Sequence, residues 1–504
     1  MPAVANPTWY SDIRFMFTQT DIGHMGKQSL DLTSYESVVA NAGDIYGQVA
    51  AGNMPPGAPW KTNHPDWITT FLNWMTNGYP KGTNPALSNT NASLTAMVVS
   101  SAKRVRKEIT SLSQTELDTL EKAFSGILAK DNTDPNSYFV QTGHHWLPSP
   151  VHCQHHVPAY NPWHRAYMIS FENALRSVPG CENVTLPYWD ITMPFPEVLK
   201  HPPFDTYTLP EDIGQGFKAG YATTRFAYDV IQQNLLEMSV TDDLNRALTK
   251  TDWEDFHGLF AGALNNTIIA AHDSAHNSIG PTMSNPLVAA FDPVFWFFHA
   301  NWDRLFWKWQ KQMNATTLNG LLTTINKTTD PVSYQTFTVP ALEVLAPFTV
   351  EPPHLNTVSI IDSAKDLDVD YRDPGEPAQM TSPAKTLLTT AASKKFSVHT
   401  DRVDVRVDGV NRLKIPGSFK VHLLKDGKRI ASRGFFQPHE AEKCETCVDN
   451  AIVHFDFELP LADVSNGRLE VAIEPIDQSF VGDRFPNKLM GNPTVSVRLL
   501  MNTE

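Results

Sequence analysis

The chain has 504 residues, a length for roughly two or three domains, so a peptide or a small disulfide-stapled scaffold is excluded. Apolar residues make up 41% and charged residues 19%, the balance of a folded globular protein able to bury a sizeable core. With 40 Lys plus Arg against 54 Asp plus Glu, a net charge of -14 and no long basic run, no nucleic-acid or anionic-membrane partner is expected, and the ligands are small molecules or ions.

The first residues, MPAVANPTWYSDIRF, lack a basic stretch followed by an apolar one, and no apolar run reaches the length of a membrane span. Four cysteines, Cys153, Cys181, Cys444 and Cys447, are too few for a disulfide framework in a chain of this length, so a reducing, cytoplasmic setting is expected. Residues 1–95 read as an N-terminal helical extension: SYESVVANAGDIYGQVAAG and HPDWITTFLNWMTNG each close on a Gly, with Pro-rich MPPGAPW as a turn between them. From 96 to 371 apolar residues recur at helical spacing, and Ser113 with Glu116 form a capping-box pattern ahead of Leu120 and Phe124. Residues 372–394 are polar and Pro-bearing, a linker by composition. From 395 to 504 alternation with period two takes over: FKVHLLKDGKRIASRGF is a hairpin turning at Asp426-Gly427, and AIVHFDFEL, RLEVAIEPI and TVSVRLL are strands. The fold class expected is a mainly α core, a helical bundle, followed by a C-terminal β-sandwich.

Histidine placement is the anomaly. Eleven of 18 lie between His144 and His299, where proportional placement gives about six. His272 and His276, in IIAAHDSAHNSIG, are four apart and share a helical face. A zinc peptidase of the H-E-x-x-H kind needs Glu after the first His, and Asp273 stands there. His299 shares a face with Phe295, Trp302 and Phe306, and His164 is in line with Met168, Phe171 and Leu175, so both point inward. Around Cys153 and His155, an irregular Pro-broken segment offers His144, His145, His152 and His156 as further donors. Two sets of three imidazoles on separate helix pairs describe two N3 metal sites inside a bundle, and imidazole alone does not choose among copper, zinc, iron and nickel.

HCQHH, NPWHRAY, LPYWD, HDSAH and FDPVFWFFHANWDR together resemble the type 3 copper proteins, that is tyrosinases, catechol oxidases and molluscan haemocyanins, over about residues 100–370. The resemblance implies two copper ions with O2 as co-substrate, the first ion on His145, His155 and His164 and the second on His272, His276 and His299. HWLP stands where the family usually has HGxP, and the choice of His145 over His144 rests on that alignment. The resemblance further implies a thioether between Cys153 and His155, and a supporting role for Asp303, four residues after His299. Arg165, Glu172 and Asp190 fall in family motifs and read equally well as salt bridges or caps.

The implied activity is oxidation of o-diphenols, small phenolic substrates, to o-quinones, with ortho-hydroxylation of monophenols as an extension; an o-aminophenol oxidase and a dioxygen carrier are the alternatives. Phe298 replaces the family's usual first His of a pair, and no carboxylate precedes His272 in Ile268–Ala271, which favours diphenol oxidation. Asp273 and Asn277 are the candidates for positioning substrate. Related pro-enzymes cover the site with a C-terminal domain, for which Phe435 and Phe436 are the candidate plug and Cys444 and Cys447 a candidate copper-loading pair; ordinary sheet packing, a disulfide, or half a zinc site with His439 are the plain readings of the same residues. The oligomeric state is left open between a monomer and a homo-oligomer.

Overall fold

The computed structural model describes the chain apart from residues 1–2, 19–20, 22–24, 26–29, 31, 33, 56–58, 83–102, 259–266, 339–344, 349–354, 356, 358, 375–395, 445–446, 449, 477–484, 487 and 504. The chain divides into two compact units: 1–102 with 335–344, and 103–334 with 345–504.

In the first unit, α1 (Tyr35–Ala40), α2 (Ala42–Ala51), α3 (Trp60–Asn63) and α4 (Pro65–Thr76) pack around a core of their own that includes Trp9, Ile13, Phe71 and Trp74. Gly52 ends α2 in the left-handed conformation (φ 84°), the reason this helix closes on a glycine.

The second unit opens with β1 (Arg104–Lys107) and α5 (Gln114–Leu128), whose start is the reciprocal cap read from Ser113 and Glu116. After α6 (Tyr138–Gly143) comes α7 (Tyr160–Arg176), an almost wholly buried helix. Next are α8 (Tyr228–Glu237), α9 (Val240–Ala247), α10 (Trp253–His257), α11 (Ile268–Ile279) and α12 (Val294–Gln312). Helix α12 packs on α7, with Phe171 and Trp296 stacked at 3.5 Å, and α11 packs on α8 and α9. Every residue of α11 is buried, so its polar residues must find partners inside the protein.

A parallel pair, β1 with β2 (Val369–Arg372), ties the two ends of this region together. Four-residue strands carry too little alternation to be read from sequence. Strand β2 also takes up Arg372, and Asp373 pairs with Arg304 at 2.6 Å, so ordered structure runs past the expected linker start; the rest of that linker, 375–394, lies outside the described residues.

The C-terminal region forms two three-stranded antiparallel sheets. One has the order β6-β3-β8, from β3 (Phe396–Asn411), β6 (Ile452–Pro460) and β8 (Thr494–Thr503); the other has the order β5-β4-β7, from β4 (Phe419–Lys425), β5 (Lys428–Phe435) and β7 (Leu469–Pro475). The turn between β4 and β5 has positive φ at both Asp426 (50°) and Gly427 (77°), the type I′ geometry that Asp-Gly favours. Rings of Phe419 and Phe435 meet Phe455 of the other sheet at 6.2 and 6.0 Å. These strands belong to the same compact unit as the helices, and β5 lies on α11.

Candidate metal centre

Six histidines from five parts of the second unit converge. His145 follows α6, His155 sits in the irregular segment before α7, and His164 lies on the second turn of α7. His272 and His276 come from α11 and His299 from α12. Ligand atoms of His145, Cys153, His155 and His164 lie within 4.8 Å of one another, and so do those of His272, His276 and His299. The two groups adjoin: His164 stacks on His299 at 4.4 Å, and His155 and His272 rings are 5.7 Å apart. His144 stands outside the first group, edge-on to Phe348.

Hydrogen bonds fix the rings. Nδ1 of His145 meets the Pro286 carbonyl at 3.1 Å, that of His164 the Tyr160 carbonyl at 2.9 Å, and that of His276 the Met283 carbonyl at 2.7 Å. Nδ1 of His272 meets Asp273 Oδ1 at 3.0 Å. Each such bond places the proton on Nδ1 and leaves the Nε2 lone pair facing inward. Nε2 of His145 and of His272 are buried without a partner, and Nε2 of His276 faces Nε2 of His299 at 3.3 Å. Burial pushes His145 down to about 3, and holds His164, His276 and His299 well below the usual histidine range, with neighbouring histidines adding to the effect. Burying the unpartnered Nε2 atoms of His145 and His272 costs free energy until a cation takes their lone pairs, so this donor set fits a metal pair.

Cys153 Sγ stands 3.2 Å from Nδ1 and 3.6 Å from Nε2 of His155, facing the ring carbon between them. Cys444 and Cys447 are paired as a disulfide, and they line with Cys153, His155 and Phe436 a cavity of about 30 Å³.

The two candidate plug residues part company. Phe436 stacks on His276 at 4.2 Å and meets His155 and His272 edge-on at 5.2 and 5.9 Å. Phe435 turns to the sheet side, stacked on Phe419 and on His156, each at 5.1 Å. Alternation along a strand sends successive side chains to opposite faces, so only one of the pair can reach the histidines.

Asp273 and Asn277 serve this strand. Asp273 Oδ2 accepts from His156 Nε2 at 2.8 Å and from the Phe436 N–H at 3.2 Å. Asn277 Nδ2 donates to the Phe435 carbonyl at 3.0 Å and the Phe419 carbonyl at 3.2 Å. Burial alone would raise the Asp273 carboxyl; His156 and His272 beside it outweigh that and hold it below its usual range. His156 was visible in HCQHH only as one donor among several, and its pairing with Asp273, 117 residues on, had no sequence signal. Gln437 also escaped notice: its side chain donates to three carbonyls, of Arg412, Ile415 and Gly417, and accepts from Arg412, which fixes the chain beside Phe436.

Asp303 departs from the expected support of His299. Its oxygens meet Arg165 at 2.5 Å, Tyr371 at 2.5 Å and Arg106 at 3.4 Å, and Arg106 meets Glu172 at 2.8 Å. Two buried guanidinium groups claim the carboxylate, while Nδ1 of His299 has no partner. Arg165 and Glu172 are thus ion-pair residues. Phe298 lies edge-on to His276 at 4.6 Å and to Trp302 at 5.3 Å, an apolar wall beside the second group.

The family model described as the common central domain of tyrosinase matches residues 135–225 and 203–312, the stretch that carries all six histidines. Haemocyanin 2-c chain of Megathura crenulata is 30% identical over 234 residues, 42% of this chain and 53% of that protein. Tyrosinase HcTyr1 of a Hahella species is 26% identical over 251 residues, 42% of this chain and 54% of that protein. The chain therefore spans about half the length of these curated relatives. A tyrosinase from Burkholderia thailandensis shares the fold, with a TM-score of 0.57 at 19% identity over 78% of this chain and 100% of that one. Six inward-facing imidazoles lie on the stretch that is similar to this central domain, and the likenesses support a type 3 copper reading of residues 135–312.

Proposed function

We propose that the two histidine groups hold two copper ions, the first on His145, His155 and His164 and the second on His272, His276 and His299, and that the chain oxidises o-diphenols to o-quinones with O2. The observation that carries this reading is the pair of adjoining three-imidazole groups, in each of which one buried Nε2, that of His145 and that of His272, lacks a protein partner. When bound, the copper pair supplies the two-electron exchange with dioxygen. The chain's own part is to hold the rings by their Nδ1 bonds and to keep the space between them dry with Phe295, Phe298 and Trp302.

The two sheets are read as a β-sandwich lid. Phe436 occupies the face of His276 where a phenol ring would stack, so substrate enters once the end of β5 moves away. Asp273 and Asn277, released from the β5 main chain, then face the same space as groups that position the phenol hydroxyls. Catechols are oxidised faster than monophenols are hydroxylated, since Asp273, already engaged by His156, is the carboxylate nearest His272. Cys153 bonds to the ring carbon of His155, losing the thiol hydrogen and the ring hydrogen as two protons and two electrons to O2. Copper loading through Cys444 and Cys447 requires their disulfide to be reduced first.

A dioxygen carrier is the second reading, favoured by the haemocyanin relatives. Incubating the copper-loaded chain, before and after limited proteolysis, with a catechol, tyrosine and an o-aminophenol separates the readings. Quinone from the catechol supports the oxidase, product from the o-aminophenol alone shifts the substrate class, and reversible O2 binding with no product supports the carrier.

A further inference from the structure

We propose that the cavity of about 30 Å³ beside His155 binds a small monovalent anion of the chloride kind, held by the buried guanidinium of Arg412. The proposal goes beyond the copper reading and does not depend on it.

Arg412 is 2% exposed and lines the cavity. Its Nε donates to Gln437 Oε1 at 3.0 Å, and one face of the guanidinium lies over the Phe435 ring at 4.6 Å. A guanidinium carries five N–H groups, and the others of Arg412 meet no acceptor among the described residues. No carboxylate among those residues stands within ion-pair distance of it either. Burial pulls Arg412 down to about 10, and the Asp273 carboxylate, acting from farther off, offsets only part of that. The Asp273 oxygens are already taken by His156, His272 and the Phe436 N–H. A buried charge left in this way costs free energy until a counter-ion reaches it.

The rest of the wall suits an anion. Trp146 lines the same cavity, and its indole N–H has no acceptor among the described residues. None of the lining residues is Asp or Glu, so nothing there repels negative charge. The volume admits an occupant of about water size and excludes sulfate, a sugar or a phenol. Water is the neutral competitor, but only an anion makes charge-assisted hydrogen bonds and answers the guanidinium. Trp146 follows α6 in the helical region and Arg412 follows β3, so the anion is gripped from both sides and stabilises their contact by mass action.

The test uses the full chain stripped of metal, so that copper cannot hold the anion, at about pH 8, above the histidine range. Chloride is the probe, with gluconate replacing it at constant ionic strength. Expected are a saturable broadening of the chloride NMR line, competed by bromide, and a thermal midpoint higher in chloride than in gluconate or sulfate. Arg412→Gln should hold chloride about tenfold or more weakly, the loss of one charge-assisted hydrogen bond, and Trp146→Phe should weaken it in the same direction. Broadening that persists in Arg412→Gln means surface binding only and overturns the site, as does a midpoint that sulfate or gluconate raises equally. Should Arg412→Gln fail to fold, Trp146→Phe and the anion selectivity of the unaltered chain decide: undiminished binding in the variant, or no preference for chloride, overturns the proposal. Copper is absent throughout, so either failure leaves the six-histidine reading standing.

Discussion

Phe435 and Phe436 are neighbours in sequence with opposite duties, and substitution separates them. Phe436 covers His276, so Phe436→Ala should raise catechol oxidation by uncut protein several-fold. Phe435 is packed against Phe419 and Phe455, so Phe435→Ala should cost about 3–5 kcal/mol of stability as a core truncation. Activity assays with a thermal scan on both variants check this; equal activation by the two would mean that the strand faces are misassigned. Asp303→Asn should destabilise by about 3–5 kcal/mol because Arg106 and Arg165 lose a buried carboxylate. Copper per folded chain should stay unchanged; loss of copper in well-folded Asp303→Asn protein would restore it to a role at His299. At this scale sequence pattern identified the histidines, since helical spacing alone put His164 and His299 on inward faces and His272 with His276 on one shared face. It gave no access to Asp303's true partners, because Arg106 and Tyr371 come from strands 265 residues apart that pair only in the folded chain.

Helix α11 carries two histidines on one face and, on another, Asp273, Ser274 and Asn277, which grip β5 by its main chain. Gly434 N–H donates to Ser274 Oγ at 3.0 Å, beside the Asp273 and Asn277 contacts. The approach is so close that a Cβ on Gly434 would stand 2.7 Å from Ser274 Cα. Gly434→Ala should therefore push β5 off α11 and speed catechol oxidation without proteolysis, whereas Ser274→Ala should orphan one buried N–H at about 1–3 kcal/mol. Rates for uncut Gly434→Ala no higher than for the parent chain would argue against a movable β5. The β4–β5 hairpin was legible because Asp-Gly demands its turn. Its seat on α11 was not, since main-chain hydrogen bonds leave no mark in side-chain pattern.

Across the whole molecule, burying so many neutral imidazoles links stability to pH. His145 and His257 are pushed to about 3 by burial, against 6.5 for a free histidine. The unfolded chain consequently binds more protons than the fold between those values, so stability is full above about pH 6.5 and falls as pH drops. The thermal midpoint of metal-free protein should decline steadily from about pH 7 to 4; a flat profile would contradict the burial. The division into helices and late strands was legible from the switch of apolar period, and the parallel β1–β2 tie was hidden by its brevity. The central claim is that six histidines make a two-copper centre. Copper per full-length chain, counted after anaerobic Cu(I) loading and removal of excess, tests it most directly. Two per chain is predicted, falling below two in His164→Ala and in His276→Ala; fewer than two in the parent, or two retained in either variant, would contradict it.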